Sequence, residues 1–229
     1  MKYLILDCGG VLVYPRTGDW AVPIGMTAIL GERARDIHTA RYIRAHSDCA
    51  GWLDEAQQVP DVVTELRLRR EYLRAMDARM DWHMTPDELA RLADDFTYNI
   101  DRYGFFDDVR PCLERWKSRF CLGILSDAMP SILMFLRQYG ILKLFDAAVI
   151  STQVGAIKPD PRMYVAILGA LKADPADCLF VDDRVCNLEG AVAAGMRAVQ
   201  MARSQTLPAE LWNGPVVRDF AALDRLIGE

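Results

Sequence analysis

Asp7 ends a short apolar run, Tyr3-Leu4-Ile5-Leu6, and is followed at once by Cys8-Gly9-Gly10. Ser126 ends a second run, Cys121-Leu122-Gly123-Ile124-Leu125, and Asp182-Asp183 end a third, Cys178-Leu179-Phe180-Val181. Lys158 lies between the second and third runs, in a loop stiffened by Pro159 and Pro161. A carboxylate beside a glycine turn can act as a nucleophile if its repulsion with an anionic substrate is neutralised. Lys158 and a divalent cation are the candidate neutralisers. Asp7, Asp182 and Asp183 offer the hard oxygen ligands that Mg²⁺ takes. The Ser126 hydroxyl and main-chain N–H groups near Gly9 and Gly10 can bond phosphoryl oxygens. A nucleophile, a cation, a lysine and small donors around a tetrahedral anion suit phosphoryl transfer.

For these residues to meet, their strands must lie side by side. Short apolar runs alternating with helical stretches imply a parallel sheet, in which ligands bind beyond the carboxyl ends of the strands. The chain therefore predicts an α/β fold with a doubly wound, Rossmann-like parallel sheet. Helices are expected over 109–118, 131–139, 161–171, 188–194 and from Asp219 to Ile227; further strands over 147–150, 179–182, 197–201 and, at an edge, 216–217. No strand is expected between Thr17 and Tyr103. There Val62, Leu66, Leu73, Met76 and Met80 recur at helical spacing, and Thr85-Pro86-Asp87-Glu88 is a capping box with proline at the first helical position. About 85 residues are too many for a loop. The expected division is a core of residues 1–16 and 104–229 interrupted by an all-helical insert, residues 17–103. Arg67, Arg69, Arg70, Arg74 and Arg79, interleaved with Glu65, Glu71, Asp77 and Asp81, are expected on a solvated helix face. Trp20, Trp52 and Trp82 could line a substrate pocket, but core or inter-helix packing is expected for at least two of them.

The 229 residues allow one sizeable core plus a smaller domain, and 52% hydrophobic with 26% charged residues describes a folded chain. A net charge of −5 gives no sequence-independent reason to bind nucleic acid. No apolar stretch approaches the roughly 18 residues of a membrane span. With a strand entered at once from the N-terminus, no signal peptide is expected, and the six cysteines lack metal-type spacing. Reduced thiols and a cytoplasmic location are expected. The three histidines are scattered, which argues against a zinc site.

In chain order, Asp7-Cys8-Gly9-Gly10-Val11-Leu12, then Ser126, then Gly155-Ala156-Ile157-Lys158-Pro159-Asp160-Pro161, then Asp182-Asp183-Arg184-Val185-Cys186-Asn187-Leu188-Glu189-Gly190-Ala191 resemble the motifs of the haloacid dehalogenase-like (HAD) hydrolases. The resemblance spans the whole core. It implies a phosphatase with an aspartate nucleophile and a helical cap, inserted after the first strand, that closes over the site and sets specificity. On that resemblance, Asp7 would form an aspartyl-phosphate. Asp7, the Gly9 carbonyl and Asp183 would bind Mg²⁺, with Asp182 acting directly or through water. Ser126 and Lys158 would hold phosphoryl oxygens, and Lys158 would orient Asp7. Cys8, Gly9, Gly10 and Asp127 would border the substrate, although Cys8 reads more simply as a small buried thiol and Asp127 could instead cap a turn. Asp182 and Asp183 also suit a helix N-terminus, and Asn187 a helix start or a support for its neighbours. One departure matters: most of the family's phosphatases carry a general-acid aspartate two residues after the nucleophile, where this chain has Gly9. The expected function is a Mg²⁺-dependent phosphatase of a small phosphorylated metabolite. The alternatives are a 2-haloacid dehalogenase using Asp7, or a non-enzymatic member with a decayed site.

Overall fold

A computed structural model describes residues 1–203, 210 and 212–228. The chain begins with β1 (Tyr3–Leu6) and β2 (Val13–Pro15). Four helices follow: α1 (Met26–Leu30), α2 (Ala40–Cys49), α3 (Val62–Met80) and α4 (Pro86–Tyr98). Next come β3 (Tyr103–Phe105), α5 (Val109–Trp116), β4 (Cys121–Ser126), α6 (Ser131–Gln138) and β5 (Ala147–Ile150). The chain continues through α7 (Ser151–Val154), α8 (Pro161–Leu171), β6 (Cys178–Asp182), α9 (Val185–Ala193), β7 (Arg197–Met201), β8 (Val216–Val217) and α10 (Phe220–Gly228).

Six strands form one sheet in the order β5-β4-β1-β6-β7-β8, while β2 and β3 pair separately. The pairings in the large sheet are all parallel, with Leu6 opposite both Ile124 and Val181. This register brings Asp7, Ser126 and Asp182 to the same rim, as a doubly wound α/β sheet requires. The strands are buried on both faces, which is why they read as continuous apolar runs rather than alternating ones. Leu4, Ile5, Leu6, Ile124, Phe180 and Val181 lie fully inside.

The chain divides into two compact units: Met1–Tyr14 with Glu55–Gln58 and Phe105–Glu229, and Pro15–Asp54 with Val59–Gly104. The second unit is helical and has its own core, which includes Met26, Tyr42, Leu73, Met76, Leu92 and Phe96. Its helices start where local chemistry directs. Thr39 accepts from Tyr42 N at 3.3 Å, Asp61 from Thr64 N at 2.8 Å, and the Thr85–Glu88 capping box is complete.

One expectation for this insert fails in part. Arg69 and Glu65 are buried rather than solvated: Arg69 Nε donates to Glu65 Oε1 at 2.7 Å, and its guanidinium lies 3.8 Å from the centroid of the Phe96 ring. Their i,i+4 spacing lets both enter the core as a neutralised pair, which the charge pattern alone did not reveal. Trp82 is buried in this core, while Trp20 and Trp52 are about half exposed, the Trp20 ring lying 5.7 Å from that of Tyr103. The sequence reading also missed β3 and α7. The helix expected at 188–194 begins earlier, at Val185, because the Asp182 carboxylate bonds groups in its first turn. All six cysteines are free. Among the described residues, no helix is long and apolar enough to cross a membrane.

Candidate active site

The sheet fixes the backbone of Asp7. Its N–H bonds Val181 O at 3.0 Å, extending the β1–β6 pairing one residue past the strand. The chain then turns sharply. The Cys8 carbonyl accepts from Val11, Leu12 and Val13 N–H at 3.3, 2.8 and 2.9 Å, and Gly10 N bonds Val13 O at 2.9 Å. Gly9 sits within this turn, bridged to Val13. Gly10 is required twice over: its φ is +68°, and a Cβ there would stand 2.6 Å from Asp183 Oδ2. The Cys8 side chain is buried, and burial together with the Asp7 charge pushes its thiol pKa up, leaving it protonated and inert.

Lys158 is the hub. Its Nζ donates to Asp7 Oδ1 at 2.8 Å, to Asp182 Oδ2 at 2.6 Å and to Leu125 O at 3.2 Å, which uses all three ammonium protons. Burial acts to lower its pKa, but the charges of Asp182, Asp7 and Asp127 outweigh this and hold it raised. The loop that carries it is positioned by Asp127, whose Oδ1 accepts from Lys158 N at 2.9 Å. Ser126 is buried at the end of β4, where its hydroxyl acts with Lys158 to pull the Asp7 pKa down against the effect of burial.

The two acids of the last motif differ in their surroundings. Both oxygens of Asp182 are occupied: Oδ1 accepts from Arg184 N at 2.9 Å and Asn187 Nδ2 at 3.0 Å, and Oδ2 accepts from Lys158 and from Asn187 Nδ2 at 3.1 Å. Asp183 lies against Gly10 and is the more exposed of the pair. Its pKa is raised by burial and by the neighbouring Asp7 and Asp182 charges; that of Asp7 is raised by burial against the opposing pull of Lys158.

Asp7, Asp182 and Asp183 each present a carboxylate oxygen within 4.8 Å of the other two. With one ammonium among three carboxylates, full ionisation leaves the cluster negative. Oxygen donors with excess negative charge fit a hard divalent cation such as Mg²⁺.

The structure thus brings Asp7, Ser126, Lys158, Asp127, Asp182 and Asp183 together, beside the Cys8–Gly10 turn. It adds residues that the sequence reading left out or left open. Asn187 orients Asp182, and Tyr164 Oη in turn donates to Asn187 O at 2.7 Å. Ser151 Oγ accepts from Ala128 N at 3.0 Å and Thr152 Oγ1 donates to Ala128 O at 2.9 Å, bracing the loop after Ser126. A signal for the last two existed: Ser151-Thr152 follows the apolar run of β5, as Ser126 follows that of β4.

Comparisons with known proteins agree with this geometry. The family model described as haloacid dehalogenase-like hydrolase matches residues 1–195. Phosphatase MT3486 of Mycobacterium tuberculosis is 33% identical over 184 residues, covering 77% of this chain and 78% of that protein. Among solved structures, a HAD phosphatase from Thermococcus onnurineus superposes with a TM-score of 0.67 at 19% identity, over 100% of this chain and 98% of its own. A 2-haloacid dehalogenase from Pseudomonas syringae pv. Tomato DC3000 gives 0.68 at 22% identity, with the same coverage. The two solved structures share the fold, and the family model spans the stretch from Asp7 to Asp183. This chain belongs to the haloacid dehalogenase-like hydrolases.

Proposed function

We propose that the protein is a Mg²⁺-dependent phosphatase of a small phosphorylated metabolite, working through an aspartyl-phosphate on Asp7. The observation that carries this reading is the cluster of three carboxylates, of which Asp7 and Asp182 are buried and bonded to the single ammonium of Lys158 while Asp183 is partly exposed beside them. A dehalogenase displacing halide from carbon needs no metal, and Asp183 would then be an acid with no task. Bound at Asp7, Asp183 and the Gly9 carbonyl, Mg²⁺ would supply charge neutralisation for the incoming phosphoryl group. Lys158 holds Asp7 Oδ1, fixing the side chain so that the other oxygen attacks phosphorus as the ester bond to the leaving group breaks. Asp182 acts through Lys158 and Asn187, since its oxygens are already engaged. Ser126 and the main-chain N–H groups of Cys8 and Gly9 receive the phosphoryl oxygens, the Gly10 N–H being held by Val13 O, and water then hydrolyses the acyl phosphate to regenerate Asp7. Residues 17–103 are proposed as the cap that selects the substrate. MT3486 bears the name of a phosphatase, which favours phosphoryl transfer over halide displacement.

The test is a panel of phosphorylated metabolites, an aryl phosphate and 2-haloacids, assayed with Mg²⁺ and with EDTA. Phosphate release that requires Mg²⁺ is the expected result. Halide release insensitive to EDTA would establish the dehalogenase instead, and no turnover with Mg²⁺ bound would indicate a binding protein.

A further inference from the structure

Arg203 lies just past the end of β7, on the same rim as Asp7, yet no motif includes it. Its side chain is 7% exposed. Nε donates to the Val11 carbonyl at 2.8 Å, within the turn that follows Asp7. Nη1 donates to Asp108 Oδ2 at 3.1 Å, and Nη2 lies 2.9 Å from Asp108 Oδ1, out of line for a hydrogen bond. The same Asp108 Oδ2 accepts from Phe220 N at 2.7 Å, at the start of α10. The guanidinium carbon stands 4.2 Å from the centroid of the Phe106 ring and 4.6 Å from that of Phe220. Phe106 N also reaches the turn, bonding Leu12 O at 3.3 Å.

A buried guanidinium held by a carboxylate and two aromatic faces is a rigid donor, because its planar fork has no freedom left to lose. The one group of the active-site turn that it grips is the Val11 carbonyl. The rest of that turn hangs from backbone bonds at the Cys8 carbonyl, at Gly10 and from Phe106 N to Leu12 O, and the charged side chain seen to hydrogen-bond it is that of Arg203. We propose that Arg203 is a positioning residue for the nucleophile turn: by fixing Val11 it sets where the Gly9 carbonyl and the Cys8–Gly10 amides stand relative to Asp7 and Asp183. The consequence for Mg²⁺ and phosphate rests on the phosphatase reading; the positioning of the turn does not.

The test uses the full chain carrying Arg203→Met, which keeps the stem and removes the donors, and Arg203→Lys, which keeps the charge but not the fork. Hydrogen exchange is followed at the Leu12 and Val13 amides, Mg²⁺ binding by titration of the metal alone, and kcat and KM on an aryl phosphate. Exchange in the turn should accelerate about tenfold or more while β4 and β6 amides stay protected, with Mg²⁺ affinity weakened by a similar factor. Arg203→Lys should recover part of both. Should Arg203→Met not fold, Arg203→Lys carries the same readouts, with smaller changes of the same sign expected. Unchanged exchange in the turn, or exchange raised equally throughout the sheet, overturns the proposal. If the native protein neither binds Mg²⁺ nor releases phosphate, the phosphatase reading fails while the exchange comparison still decides the role of Arg203.

Discussion

Asp7→Asn keeps the shape of the side chain and its contact with Lys158 but removes the attacking carboxylate. Turnover should fall by several orders of magnitude with the melting temperature little changed. Near-normal turnover of the folded variant would remove Asp7 from the mechanism. Asn187→Ala takes one donor from each Asp182 oxygen, which keep Arg184 N and Lys158, so the cost is that of lost hydrogen bonds to a buried charged group, about 1.5–3 kcal/mol of stability. Calorimetric unfolding of that variant checks it. Gly9 is not among the glycines with positive φ, so its backbone accepts a side chain. Without an acid at that position, hydrolysis should depend steeply on leaving-group pKa, favouring aryl, acyl and anomeric sugar phosphates, and Gly9→Asp should flatten that dependence. A native enzyme equally fast on alkyl and aryl phosphates would show that another group already supplies the proton. The residues at strand tips were legible because each closes an apolar run. Asn187 was legible as a helix-start residue or a support for its neighbours, but not which neighbour it supports, since that depends on α9 beginning at Val185 and turning one amide back toward Asp182.

At the scale of elements, the nucleophile turn and the rim of β6 touch across a single missing methyl group. Gly10→Ala would place its Cβ against the Asp183 carboxylate and strain a left-handed backbone, at a cost of about 1–3 kcal/mol. Mg²⁺ affinity, measured by titration, should drop along with stability; wild-type affinity in the variant would mean that Asp183 is free to move. The strands and the long helices of the core were readable from period and punctuation alone, because burial on both faces leaves no alternation to misread. Short elements were not. The one-turn helix α7 is four residues long and has no period to detect, and β3 is recognisable only once β2 is found beside it. In α3, the buried Glu65–Arg69 pair looks like solvated charge until Phe96 is placed beneath it.

For the whole molecule, burial of acids at one rim has a thermodynamic signature. Asp7, Asp183 and Asp127 have pKa values raised chiefly by burial. Above the ordinary carboxylate range, about pH 4, the native state therefore holds protons that the unfolded chain has released, so stability falls as pH rises toward neutrality. Melting in EDTA should be highest in mild acid and decline by pH 8, and Mg²⁺ should restore the loss at neutral pH. A melting temperature that climbs steadily from pH 5 to 8 without metal would contradict the assignment. The expected insert of residues 17–103 rested on the absence of strand patterns; the passage of the chain back through Glu55–Gln58 was not legible, because four polar and small residues between helices carry no pattern. That passage bears on how the gene can be recombined. The backbone leaves the sheet unit after Tyr14, rejoins it for these four residues, departs at Val59 and returns at Phe105. Gln58 packs where a Cβ on Gly155 would come within 3.0 Å of its Cγ, and Gly155 begins the loop that delivers Lys158. A chimera that splices in a relative's insert at its two ends therefore also exchanges part of the recipient's own lysine-loop packing, and donor segments matched at Glu55–Gln58 should yield active hybrids where unmatched ones do not.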